Sequence, residues 1–146
     1  MAARIVVGVD GSDGSVEALR WALEEARLRG AAVDAIHTWH YPYAAYTEIT
    51  GMAAGVISGE DLAELGREVV DRSLELAGAG SSGVDVNPIV TQGAAAAVLI
   101  DAAQGADLLV VGSRGHGGFT GILLGSVSQH AVHHATCPVV VVPHRR

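Results

Sequence analysis

The chain has 146 residues, 49% of them apolar and only 4% aromatic, so it holds one ordinary domain whose core must be built from Val, Leu, Ile and Ala. Nine Lys and Arg against sixteen Asp and Glu give a formal net charge of −7; with no basic cluster beyond Arg145-Arg146, nucleic acid is not an expected partner. The single cysteine, Cys137, rules out an intramolecular disulfide, and no apolar run approaches the ~18 residues of a membrane helix. The N-terminus lacks the layout of a cleavable signal, so the expected compartment is the cytoplasm, without a membrane partner.

In chain order, residues 5–9 form a short apolar run read as the first strand, ended by the turn-rich residues 10–14. A helix follows, capped by Ser12 or Asp13, with Val16, Leu19, Leu23 and Ala26 at helical spacing and Gly30 as its stop. Residues 33–39 read as the second strand. Residues 40–58 fit no period and are broken by Pro42, Gly51 and Gly55, which makes them a long loop of the kind that often carries function. Tyr41, Tyr43 and Tyr46, with Trp39, offer either a second, aromatic binding surface or a simple packing of that loop on the domain. Residues 59–77 predict a helix with an apolar stripe of Leu62, Leu65, Val69 and Leu76, and 78–83 a short flexible connector. Residues 84–90 are the third strand, and Pro88, which removes a ladder donor, places it at an edge. A short helix over 94–104, a fourth strand over 108–111, a glycine-rich segment over 112–125, a helix over 126–135 and a last strand over 139–142 complete the chain.

This alternation implies an α/β fold: a single doubly wound open sheet of five mostly parallel strands with helices on both faces, in one domain spanning 1–146. In such sheets ligands bind beyond the carboxyl ends of the strands, where the strand order reverses. Residues 10–15 and 112–126 are the two segments that reach that place.

The second of these is the most informative stretch, with six glycines in the fifteen residues 112–126. Glycines let backbone amides approach a ligand without a Cβ in the way, consecutive amides make an anion-binding nest, and the helix beginning at Ser126 adds its own unpaired amides and positive dipole end. Arg114 and His116 would add charge locally. The alternative is a plain connector, with Ser126 and Gln129 closing the helix as a capping box. No Gly-Lys-Ser or Gly-Lys-Thr occurs, and residues 8–12 lack the dinucleotide fingerprint, which removes the P-loop and Rossmann readings.

Gly112-x2-Gly115-x9-Gly125-Ser126, together with Val7-Gly8-Val9-Asp10-Gly11-Ser12 and the C-terminal Cys137-Pro138 followed by four valines, resembles the ATP-binding type of the universal stress protein family over essentially the whole chain. The resemblance implies the sheet order 3-2-1-4-5, with strand three at an edge. It also implies ATP as the ligand, accompanied by Mg2+ or Mn2+ at the phosphates. Its loop glycines Gly112, Gly115 and Gly125 and the hydroxyl of Ser126 would hold ribose and phosphates, with Ser113, Arg114, His116, Val127 and Ser128 beside them. Asp10, Gly11 and Ser12 would lie at the adenosine end, and Thr38 would border adenine through its backbone. The last strand, Val139 to Val142, would be the seam of a homodimer. The function so implied is a stress-response or signalling module acting mainly through nucleotide-dependent association with a further protein partner. A nucleotide-independent dimeric interaction protein and a slow ATP hydrolase are the rivals.

No arrangement marks His116, Arg114 and Asp10 as a catalytic set, and Ser126 lacks the surroundings of a nucleophile elbow. Asp10 by itself either contacts ribose or a metal or caps the following turn. Of the seven histidines, His130 and His134 stand one helical turn apart, but two imidazoles fall short of a tight Zn2+ site; a packed or solvated cluster is the expectation. Cys137 is expected to be an inert, packed thiol.

Overall fold

The computed structural model describes residues 2–41, 58–114 and 124–144. The elements follow in the order β1 (Arg4–Gly8), α1 (Asp13–Arg29), β2 (Ala32–Trp39), α2 (Gly59–Ala77), a 3-10 turn (Ala79–Ser81), β3 (Val86–Gln92), α3 (Ala95–Ala102), β4 (Leu108–Gly112), α4 (Ser126–His134) and β5 (Val139–Val142). All four strand pairings are parallel, in the order β3-β2-β1-β4-β5. The register sets Ile5 beside both Val33 and Leu108, and Pro88 beside Ala35 on the edge strand. The central strands are apolar on both sides because both sides are covered: Ile5, Val6, Val7, Leu109 and Val110 have no exposed surface.

Side chains divide by alternation. Ile5, Val7, Val33, Ala35 and Val110 face α1, meeting Leu19, Ala22, Leu23 and Ala26, with Leu74 and Ala77 of α2 at the margin. Val6, Ile36, Leu109 and Val111 face the opposite layer, meeting Leu99 of α3, Ala103 at its C-cap and Ala131 of α4. Helices thus cover both faces, α1 and α2 on one and α3 and α4 on the other.

Helix ends explain the boundaries. Ser12 is the cap of α1, its Oγ accepting from Ser15 N at 3.2 Å, and Gly30 ends the helix in the left-handed conformation. At α2 the caps are reciprocal: Ser58 Oγ accepts from Asp61 N at 3.0 Å and Asp61 Oδ2 accepts from Ser58 N at 3.4 Å. Ser58→Ala is expected to lower stability by about 1 kcal/mol, read as an earlier urea midpoint at unchanged slope; a parental midpoint would show that this cap carries no weight.

The apolar stripe expected on α2 is only partly inward. Leu65 and Leu76 are 56% and 50% exposed, whereas Gly66, Val70 and Ser73 are buried. The helix sits too close to the sheet for large side chains: a Cβ on Gly66 would lie 2.8 Å from both His37 Cδ2 and Val90 Cγ1. Two boundaries also move. β3 begins and ends two residues later than the expected 84–90, and α3 is shorter than 94–104.

At the amino ends of the strands Arg4 ties the layers together. Its Nη1 donates to Asp34 Oδ2 at 2.9 Å and to Ala102 O at 3.1 Å, and its Nη2 donates to Gln104 O at 3.2 Å. A cation here satisfies the last carbonyl of α3 and one just beyond it. Cys137 packs beside this pole among the α3 and α4 residues, where burial pushes its thiol pKa up. Among the described residues no helix is long and apolar enough to cross a membrane.

Candidate functional site

β1 leads through α1 to β2 on one side, while β4 leads through α4 to β5 on the other. The crevice between these diverging connections is the reversal point at which open parallel sheets take ligands. A cleft of about 570 Å3 opens there, bordered by Gly8, Asp10, Ser12, Thr38, Gly112, Arg114 and the residues 124–129, with Leu99 and Ile36 in its apolar wall. Its size falls within the roughly 300–1,000 Å3 of small-molecule sites.

On the β1 side the turn braces itself. Asp10 Oδ1 accepts from Ser12 N at 2.9 Å and from Ser12 Oγ, Ser15 Oγ donates to Ser12 O at 3.0 Å, and Asp10 N donates to Ser15 Oγ at 3.3 Å. The carboxylate therefore does hold its turn, and the same residue borders the cleft. The start of α1 meets the exit of β4 backbone to backbone: a Cβ on Gly14 would lie 2.8 Å from Arg114 O, and one on Gly112 would lie 3.0 Å from Gly14 O.

On the β4 side Ser113 N donates to Val142 O at 2.8 Å, and Ser113 O accepts from Gly125 N at 2.6 Å. Ser128 Oγ lies 3.1 Å from Ser113 O and 2.9 Å from Gly125 O, its single proton divided between the two carbonyls. The two ends of the glycine-rich segment are thereby pinned side by side. The capping box of the alternative reading is not formed, because the cap of α4 is Gly125 and Ser126 is already the first helical residue; Gln129 Nε2 reaches only to Leu124 O at 3.5 Å. Gly125 has φ −74 and ψ 170, a conformation open to any residue, so its lack of a side chain is not a backbone requirement. α3 is likewise capped by Ala94 without a side-chain bond. Both of these helix starts border the cleft, through Ala95 and through residues 125–129, and neither cap residue supplies a side-chain acceptor to the first-turn amides, which a helix leaves without intrahelical partners.

Of the residues singled out from sequence, Asp10, Ser12, Thr38, Gly112, Arg114, Gly125, Ser126, Val127 and Ser128 border this one cleft. Gly11 and Ser113 do not, Ser113 being only 9% exposed. Gly115 and His116 lie outside the described residues. Sequence reasoning missed Leu99, Ala95 and His37, which carry no local signal of a site: Ala95 starts α3, Leu99 is an apolar residue within it and His37 lies near the end of β2. His37 Nδ1 donates to Val9 O at 2.8 Å; a carbonyl can only accept, so this nitrogen carries the proton. Leu99 closes the floor, its Cδ1 2.8 Å from where a Gly8 Cβ would sit.

Trp39 and Tyr41 meet edge to face, with ring centroids 5.8 Å apart, and both crowd the position a Cβ would take on Gly59. They pack the end of β2 on the start of α2, which favours the packing reading for that pair; Tyr43 and Tyr46 lie outside the described residues. His130 Nδ1 donates to Ser126 O at 2.9 Å, and its ring stands 6.1 Å from that of His134. Among the described residues no three His, Cys, Asp or Glu converge as metal ligands.

Fold and cleft together describe a doubly wound α/β protein with a crevice at the carboxyl end of its sheet. The sequence profile described as the universal stress protein family matches residues 1–143, and the chain belongs to that family. It is 34% identical over 141 residues to the universal stress protein Rv2623 of Mycobacterium tuberculosis strain H37Rv, covering 94% of this chain and 46% of that one. The chain thus spans about half the length of the curated relatives it matches. Among solved structures, a universal stress protein from Archaeoglobus fulgidus in complex with dAMP superposes with a TM-score of 0.67 at 26% identity, covering 95% of this chain and 96% of that one. A universal stress protein in complex with cAMP shares the fold with a TM-score of 0.68 at 24% identity, covering 96% and 95%.

Proposed function

We propose that the cleft binds ATP together with a divalent cation, and that the protein acts as a nucleotide-responsive association module. One observation carries this reading. Of the three helix starts that border the cleft, those of α3 and α4 lack side-chain caps, while α1 is capped by Ser12 and α2, whose start does not border it, has a complete capping box. Uncapped amides at a helix start favour an anion, and Arg114 at the rim adds a positive charge. The apolar wall of Ile36, Leu99 and Val111 suits a base. The dAMP complex of the Archaeoglobus fulgidus protein supports an adenine nucleotide as the ligand class.

The donor set fits a cation held chiefly by the nucleotide. Asp10 is the one carboxylate among the described residues that border the cleft, and Mg2+ at nucleotide sites commonly takes one or two carboxylates, the phosphates and water. The cation would neutralise phosphate charge beside an acidic protein. β5 is the matching candidate for association: among the described residues it pairs only with β4, and an open four-valine edge is otherwise a liability that a second copy would cover.

Calorimetric titration of ATP with Mg2+ into nucleotide-stripped protein tests the site, with AMP in parallel. Saturable binding that weakens for AMP is expected, with sedimentation moving toward the dimer as ATP is added. A folded protein that takes up no ATP would refute the reading.

A further inference from the structure

Ser113 is buried, and each of its polar groups is engaged. Its N–H donates to Val142 O, its carbonyl accepts from Gly125 N and Ser128 Oγ, and its own Oγ accepts from His144 N at 3.3 Å. One residue therefore joins the exit of β4, the start of α4 and the segment that follows β5. That segment runs back over the start of α1: His144 Cβ is 3.9 Å from where a Cβ on Gly14 would sit, and its Nδ1 is 3.6 Å from Glu17 Oε1.

We propose that His144, through its backbone N–H, is a positioning residue for the nucleotide site: by holding the Ser113 hydroxyl it fixes the carbonyl that keeps Gly125, and with it the first turn of α4, beside the cleft. The physical reason is leverage at a single residue. The orientation of the Ser113 carbonyl is set by two anchors, Val142 O on its amide and His144 N on its side chain. With one anchor removed the residue can pivot, and a hydrogen bond weakens steeply as its donor leaves the acceptor direction. The inference rests on the cleft being the nucleotide site and adds to it a control point at the C-terminal end of the sheet.

The test uses the full chain. Ser113→Ala removes the hydroxyl and keeps every backbone donor, while His144→Pro removes the donor and keeps the hydroxyl. Each is read by ATP–Mg2+ calorimetry and by amide hydrogen exchange at Gly125 without nucleotide. Each single change is expected to weaken ATP and to speed Gly125 exchange about two- to tenfold, the worth of one net hydrogen bond, with β1 amides as protected as before. The double variant should be no worse than either single one, since both cut the same link, and Ser113→Thr, which retains the hydroxyl, should restore both readouts. Additive losses, or parental Gly125 exchange in the single variants, would overturn the proposal. If His144→Pro also exposes β1, the Ser113→Ala protein decides alone. If the parent binds no nucleotide, the functional reading of the cleft falls, and the exchange data still decide whether His144 controls Gly125.

Discussion

Gly125→Val is expected to weaken ATP–Mg2+ binding by about a hundredfold or more while the domain still folds. Gly125 caps α4 with φ −74 and ψ 170, angles that Val adopts without strain, so the backbone does not oppose the change. Exchanging Gly for Val as a cap costs roughly 1 kcal/mol, a tolerable fraction of the 5–15 kcal/mol that holds a domain together. The isopropyl group, however, stands at the edge of the cleft, where a phosphate would approach the first-turn amides. Losing two charge-assisted hydrogen bonds, at about 1.5–3 kcal/mol each, already amounts to a hundredfold in affinity. Calorimetry and a thermal melt on the same preparation separate the two effects. A Gly125→Val protein that binds ATP like the parent would place the ligand elsewhere on the molecule.

Gly66→Leu should act first on the fold, at a point beside His37 and Val90 and not at the start of α4. Here the neighbours are the Val90 methyl and the His37 ring, the latter held by its bond to Val9 O, so neither yields readily. For Gly66→Ala two effects nearly cancel: Ala gains about 1 kcal/mol in helix propensity, and the 2.8 Å overlaps take back a similar amount. Leu adds three more carbons with no space to occupy, so α2 must lift from the sheet. A loss of about 2–3 kcal/mol is expected, which for a domain of this size lowers Tm by about 5–10 °C. A Gly66→Leu protein that melts with the parent would mean that α2 does not need the close approach.

These two glycines also mark how far the sequence could be read. Strand and helix order, the edge position of β3 and the stop at Gly30 were legible, because periodicity, proline and left-handed glycine act locally. The cleft was legible as a place, since residues 10–15 and 112–114 stand at the ends of the adjacent parallel strands β1 and β4. The inward face of α2 was not: periodicity favours Leu65 and Leu76, and only the three-dimensional closeness of His37 and Val90 explains why Gly66 and Ser73 turn inward instead. The Ser126 capping pattern misled for a related reason. A cap is defined by backbone angles, and these place it one residue earlier. Ser113 reads as one more polar loop residue until its partners, 12 to 31 positions away, are in view.

The two margins of the sheet are unequal. β3 carries Pro88, which withholds a donor, while β5 is four valines without a proline. A sheet open on both margins can keep adding copies and grow into a fibre. One that is blunted at one margin joins edge to edge only once, through its single open side, and a two-fold pairing of that side leaves nothing further to add. If the chain associates through the β5 edge, as proposed, the assembly would stop at a finite size.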